Sequence, residues 1–532
     1  MGVLEIRQLA LTRSDKISDH HPSWPDIAPT AQLLVEGGDG RIALDPVTGS
    51  NKYGCGVIPD SNLMAFGSST ASTISEPGFA AADELRCRLS AGTGAQTKIY
   101  GRELRRIRNE LVSLCGLGNL DGLELVFAAS GTDIHLIAAQ LTGAERARPP
   151  MAIMVDAAET GSGVGAALAG RHFNSRSPLG NKVVQDTSLT SGCDVEVVSV
   201  PVREDDGTPR NPADIDAEVV ARVTREVTSG RRVLLTLVDV SKTGLIAPSP
   251  ACAMRLHQQF PDRVNVLVDA CQFRIAPDTL KAYLDQGFMV AITGSKFVTG
   301  PSFSGALLIP APIAKKFQNR LFPRALRAYS ARAEWPRHWS TAWLMEDKTN
   351  FGLLLRWEAA LAELRAFRVV PETEVANFLQ AFGEAVKNRL ISDPAFELLP
   401  TPALDRQTLV QGDSWDQLQT IFPFVLYRQS TDGRVPLDRS ETAQVHRWLQ
   451  EDLTRHGDPR FHGLTSGLAS LRCQLGQPVA CGTHQDVPLS ALRLCASARL
   501  VAETATGKSV STVIENAMAV LDKAAALAAL VK

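Results

Sequence analysis

The sequence predicts an α/β fold: a mostly parallel seven-stranded sheet with helices on both faces, followed by a smaller α+β domain. Three observations carry this. Seven short apolar runs, at 123–130, 151–157, 195–202, 233–240, 264–270, 288–294 and 305–310, each end in small or polar residues, as strands buried on both faces do. Helical patterns such as 213–230 and 251–260 lie between them, and alternating strand and helix favours an open parallel sheet. The character then shifts after residue 345, where a long helical pattern, 350–367, opens a region mixing helices with a few strands.

The leading segment is different. Residues 1–60 are rich in Pro, Gly and Asp with little periodicity, so we expect them to wrap over a larger body. From residue 79 the pattern becomes helical. Stretches 79–92 and 98–116 carry apolar residues at three- and four-residue spacing, and Gly116 is a plausible stop. Residues 513–532 read as a terminal helix. The expected division is 1–64 as a packing segment, 65–345 as the large domain and 346–532 as the small one. A chain of 532 residues suits two or three such units.

Composition excludes several classes. The hydrophobic fraction is 44% and the charged fraction 21%, ordinary for a globular protein. A formal net charge of −2 gives no reason to expect nucleic acid or an anionic membrane as partner. The nine cysteines are scattered, odd in number and without a CxxC pair, which suits a reducing cytoplasm and gives no zinc spacing. The first residues lack the basic start and long apolar run of a signal peptide, Ile6 stands where a myristoylation signal prefers Ser or Thr, and no run reaches eighteen apolar residues. The expectation is a cytoplasmic protein with no metal.

In a sheet of this kind ligands bind beyond the C-terminal ends of the strands. Four groups stand at or near strand ends. Ser130-Gly131-Thr132 follows the first strand and precedes a helix; small residues there admit an anion to backbone N–H groups, although a simple N-cap accounts for them equally well. Asp269, with Gln272 three residues on, ends an apolar strand. A carboxylate so placed needs a partner or serves as a cap. Lys296 follows the strand at 288–294, within Thr293-Gly-Ser295-Lys296, and precedes a loop with Gly300, Pro301 and Gly305. Such an amine either snorkels or serves chemistry that needs its proton shifted. Arg493 lies in an apolar run of the second domain, suited to gripping a carboxylate or to a structural ion pair.

The order and spacing of these groups resemble the fold-type I enzymes dependent on pyridoxal 5'-phosphate (PLP), and within them the class V aminotransferase and cysteine desulfurase group. The Asp-x-x-Gln at 269–272, the lysine 27 residues later and the following GPSFSGA carry the likeness. The resemblance covers residues 65–360 well and the remainder loosely. It implies that Lys296 holds PLP as a Schiff base, that Asp269 pairs with the pyridine nitrogen and that Gln272 contacts the ring hydroxyl. Ser130, Gly131 and Thr132 would hold the phosphate, with Thr293 in the place of a phosphate-binding Ser and Ser295 in that of the His before the lysine. The loop Asp239-Val-Ser241-Lys-Thr-Gly would approach the ring and the substrate, Asp347-Lys-Thr349-Asn would reach the phosphate site of a dimer partner, and Arg493 would bind the substrate carboxylate.

Two departures stand out. Thr160, after Glu159, occupies the position where the family stacks a ring on the pyridine, which leaves that face open or covered by another residue such as His135 or His172. The glycines at 161–165 imitate a dinucleotide-binding turn, but the third is out of register. The resemblance therefore implies a PLP-dependent transferase acting on an α-amino acid or a derivative through a carbanionic intermediate, working as a homodimer with shared active sites. A lyase, with Cys473 or Cys481 as a desulfurase thiol, and a non-catalytic scaffold are the alternatives.

Overall fold

The computed structural model describes residues 27–92, 94–143, 149–190, 195–431 and 433–531. The strands in chain order are β1 (Leu63–Phe66), β2 (Glu124–Ala128), β3 (Met151–Val155), β4 (Glu196–Val200), β5 (Val233–Asp239), β6 (Ile246–Ala247), β7 (Val264–Ala270), β8 (Met289–Thr293) and β9 (Gly305–Ile309), then β10 (Phe396–Leu398), β11 (Ile421–Ser430), β12 (Gly433–Pro436), β13 (Arg472–His484) and β14 (Val487–Cys495). The helices used below are α1 (Glu76–Ser90), α2 (Gln96–Leu114), α3 (Gly131–Thr142), α4 (Phe351–Arg368) and α5 (Val510–Ala528).

The large sheet runs β2-β9-β8-β7-β5-β3-β4, with two-residue β6 beside β5. All seven expected runs are its strands. The pairs β8–β7, β7–β5, β5–β3 and β3–β4 are parallel, while β9 is antiparallel to both neighbours. This is the mostly parallel α/β sheet that the sequence predicts. β5, β7, β8 and β9 are buried along their whole length. The run at 195–202 departs from the expectation of burial on both faces: β4 lies at the sheet edge with Glu196 and Ser199 exposed. The helix at 79–92 is realised as α1, that at 98–116 as α2, and Gly116 ends α2 at φ +70°, the left-handed geometry that glycine adopts without Cβ strain.

The second sheet runs β1-β13-β14-β11-β10, with β12 on β11. β1 pairs parallel with β13, Leu63 opposite Arg472, so the chain enters the smaller sheet before it builds the larger. α4 is buried on nearly every side and packs on α1 and α2. Polar ties fix the two sheets to one another. Arg406 forms a fully buried ion pair with Asp239 at the end of β5, whose Oδ2 also accepts from Tyr283 at 2.7 Å. Arg274, just beyond β7, donates to Thr420 Oγ1 at 2.8 Å, the Ala496 carbonyl at 2.9 Å and Ser68 Oγ at 2.8 Å. Such buried charges are tolerable only when paired or fully hydrogen-bonded, so the strand-end face of the large sheet is held rigidly against the small one. No helix among the described residues is long and apolar enough to cross a membrane.

Candidate active site

The C-terminal ends of β2, β3, β5, β7 and β8 converge on one cavity of about 220 Å³. Each contributes the residues just past its last apolar position. β2 leads into Ser130, which caps α3 by accepting from Asp133 N at 3.4 Å, so the capping reading and the cavity reading are both realised there. A Cβ on Gly131 would lie 2.9 Å from Cys271 Sγ, so only glycine lets the helix start this close to β7.

Lys296 is half-buried and lines the cavity. Its loop folds tightly against α4: a Cβ on Gly294 or on Gly300 would each come within 2.6 Å of Ala360 Cβ. The Phe297 amide donates to the Gln272 carbonyl at 3.2 Å, tying the lysine loop to the end of β7. Phe297 then wedges between Phe367 and Trp415. Among the described residues the Lys296 amine has no hydrogen-bond or ion-pair partner.

Asp269 lies inside β7, not at a helix start, so it is no N-cap. Oδ1 accepts from Cys271 N at 3.1 Å, and Oδ2 lies 3.3 Å from Nε2 of buried His135, out of line for a hydrogen bond. Burial pushes the Asp269 carboxyl up, but His135 and Lys296 outweigh it and hold it well below the usual carboxylate range. Burial likewise opposes protonation of His135, yet Asp269 raises its pKa overall. Gln272 donates to the Ser69 carbonyl at 3.0 Å and Thr293 Oγ1 to the Cys271 carbonyl at 2.6 Å. Both line the cavity, as do Ser295 and Thr160.

From the small sheet, Arg493 of β14 reaches the same cavity at 1% exposure. Its partners are neutral: Thr70 Oγ1 at 2.9 Å, the Lys242 carbonyl at 3.3 Å and the Gln477 carbonyl; Nε has none. Burial lowers its pKa to about 10. The other arginines of this region are engaged elsewhere, Arg472 with Asp60 at 2.7 Å and Arg499 with Glu363 at 2.7 Å.

Two expected residues lie off the cavity. Ser241 does not line it and instead donates to Glu159 Oε2 at 2.7 Å, because the loop after β5 is stapled to the loop after β3 by that carboxylate; Thr243 and Arg203 complete the staple, the latter at 2.9 Å. The neighbouring Lys242 takes the lining position instead. Although burial pushes Glu159 up, Arg203 and the two hydroxyls hold it below its ordinary value. Thr349 is half-buried beside Asn350, which caps α4, and does not line this chain's cavity. Of the two histidines considered for the ring face, His172 stacks on Tyr329 outside the lining, whereas His135 sits beside Asp269.

Sequence reading missed Arg41, Lys52 and Tyr53, all lining the cavity from the leading segment. The available signal was the segment itself. A long Pro- and Gly-rich stretch without periodicity belongs on a surface, and the strand-end face is where such loops carry function.

No family model matches the chain, and no curated protein matches it. Structure comparison returns a cysteine desulfurase from Escherichia coli at 14% identity and TM-score 0.49, covering 86% of this chain and 94% of that one. It also returns a serine palmitoyltransferase from S. paucimobilis with bound PLP at 14% identity and TM-score 0.46, covering 86% and 88%. A threonine aldolase from Leishmania major matches at 12% identity and TM-score 0.45, covering 87% and 99%. Identities and scores this low transfer no residue role.

Proposed function

We propose that the cavity binds PLP through Lys296 and that the protein is a PLP-dependent transferase acting on an α-amino acid or a derivative of one. The observation that carries the reading is the pairing of Lys296 and Asp269. They stand at or just beyond the ends of adjacent parallel strands and line one cavity. Among the described residues one is an amine without a hydrogen-bond or ion-pair partner; the other is a carboxylate held charged, with His135 Nε2 3.3 Å from its Oδ2. The residues fit the cofactor in other respects. The buried His135 Nε2 lacks a hydrogen-bond partner, and the α3 N-terminus opens on the cavity at Ser130, Gly131 and Thr132. When bound, PLP supplies an electron sink for the bond broken at the substrate's α-carbon.

The chain's own residues divide the remaining work. Asp269 Oδ2 holds a proton at the ring nitrogen. Lys296 Nζ would anchor the cofactor and would be the group placed to move a proton at the α-carbon. Arg493, buried without a carboxylate partner, binds the substrate carboxylate. Val240, Val164 and Cys271 give the cavity its apolar lining and limit water there. Thr349 serves the cavity of a partner in a homodimer, and the free cysteines among the described residues suit a reducing cytoplasm.

Desulfuration lacks support. Cys473 and Cys481 are buried in β13, and burial pushes their thiols up to about 12 and about 11; a thiol so placed is a poor nucleophile. The test is Lys296→Ala. We expect the purified wild type, incubated with PLP, to gain visible absorbance that shifts on adding reactive amino acids. The folded variant should show neither the shift nor turnover. Turnover by folded Lys296→Ala at the wild-type rate would overturn the reading.

A further inference from the structure

We propose that Arg41 is the cationic arm of the anion site at the start of α3, and that it grips the phosphate ester of the cofactor, latching it in from the leading segment. This rests on the PLP reading and adds to its α3 start a residue from the leading segment. The Arg41 guanidinium lies directly at the helix start, with Nη1 donating to Thr132 Oγ1 at 3.1 Å and Nη2 to Ser130 Oγ at 3.2 Å. These hydroxyls flank Gly131, where the open amides of a 12-residue helix attract negative charge.

The arginine is held in place from behind. Nε lies 3.0 Å from both Asp39 oxygens and Nη2 is 2.6 Å from Oδ2, a two-pronged pairing that fixes the plane of the group. The Asp39 side chain is fully buried. The Phe303 and Phe173 rings lie 5.0 and 5.6 Å from the guanidinium carbon, within cation–π range. Among the described residues Nη1 donates to Thr132 alone, and the Tyr53 hydroxyl lies close enough to act on the same guanidinium from the cavity side. Thr132 Oγ1, accepting from Arg41, keeps its own proton free to donate. Ser130 spends its proton on Asp133. The site thus offers an anion the Arg41 guanidinium, the Thr132 hydroxyl and the α3 amides.

Two carboxylates share this corner with the one arginine. Asp133 is fully buried at the same helix start, and burial together with Asp39 lifts its pKa to about 7. Arg41 stands between these carboxylates and the cavity, so an incoming dianion meets a cation first.

The experiment compares PLP with pyridoxal, which lacks the phosphate, on wild type, Arg41→Gln and Arg41→Lys, by equilibrium titration of the cofactor-free protein. Inorganic phosphate is tested separately by thermal shift. We expect Arg41→Gln to weaken PLP about ten- to a hundredfold, the range for a lost charge-assisted hydrogen bond, with pyridoxal changed less than about twofold on the same scale. Arg41→Lys should recover part of the loss. Phosphate should raise the melting temperature of the wild type and not of Arg41→Gln. The ratio of the two affinities within one variant is unaffected by general destabilisation. An unchanged PLP-to-pyridoxal ratio in Arg41→Gln overturns the proposal, as does a phosphate shift that survives the substitution. A wild type that takes up no PLP overturns the functional reading instead, and the phosphate arm then decides the role of Arg41 by itself.

Discussion

His135 Nδ1 lies 2.8 Å from the Gly131 carbonyl oxygen, and its Nε2 lies 3.3 Å from Asp269 Oδ2. The imidazole therefore links the first turn of α3 to the carboxylate at the end of β7. With Nδ1 donating to the carbonyl, Nε2 faces Asp269 with a proton when charged and with a lone pair when neutral. The rise in the His135 pKa favours the charged form, and that charge in turn helps hold Asp269 deprotonated.

Asp269→Asn should therefore damage function far more than folding. The amide cannot hold a proton on a pyridine nitrogen, and His135 loses the charge that raised its pKa. We expect turnover to fall by roughly 10²–10⁴, the range for losing a positioned proton-holding group, with PLP still bound and the unfolding midpoint close to that of the wild type. A variant that loses its midpoint instead would make Asp269 a structural residue. His135→Phe keeps the packing and should give a smaller loss in the same direction.

Lys242 gives a pH prediction. Burial, with Arg493 and Lys296 nearby, lowers its amine to about 7, against the opposing pull of Glu159 and Asp269. In the unfolded chain the amine titrates near 10.4. Its charge therefore costs stability in full below about pH 7, and the cost is relieved as pH rises toward the unfolded value. Lys242→Met should raise the melting temperature most at pH 6, with the gain shrinking by pH 9. If the charged amine also meets an anionic group of the substrate, kcat/KM should fall as pH rises through about 7, and Lys242→Arg should abolish that inflection. Parallel pH profiles for stability and kcat/KM on the same three proteins check both.

The large sheet was legible because its strands are unbroken apolar runs such as Val264–Ala270, and such runs have few other fates. Asp269 and Lys296 were legible because a charged residue closing or following such a run is conspicuous. What escaped depends on contacts distant in sequence. Nothing local to Asp39-Gly40-Arg41 shows that it docks on Ser130 and Thr132, some ninety residues later. The choice between Ser241 and Lys242 turned on the Glu159 staple between two loops, which no single-segment pattern encodes. β1, a four-residue strand, joins β13 across the length of the chain, so its membership of the small sheet had no local signal either.

The proposed homodimer gives a third prediction. Thr349 is half-buried on a segment that does not reach this chain's cavity. If it serves a partner's cavity, Thr349→Ala should weaken PLP without weakening pyridoxal, and sedimentation should show a dimer. Mixing Lys296→Ala with Thr349→Ala subunits should restore one intact cavity in a hybrid dimer. A fully active monomer would remove any role for Thr349 at the cofactor.

Arg493 is the residue on which the substrate class turns. It is buried, its side-chain partners are carbonyls and a hydroxyl, and Nε is left without a partner. Among the described residues Arg493 has no ion-pair partner, Glu159 acting on it only from a distance, whereas Arg472 and Arg499 each pair with a carboxylate. Arg493→Lys keeps the charge and loses the planar fork. The apparent KM for an α-amino acid should rise about ten- to a hundredfold, matching loss of a charge-assisted bond of about 1.5–3 kcal/mol. PLP should stay bound, and amines lacking the carboxylate should lose little. A purely structural arginine predicts the opposite pattern, a lower melting temperature with KM unchanged for acid and amine alike. Kinetics with one amino acid and its decarboxylated amine, alongside the melting temperature of the same variant, separate the two.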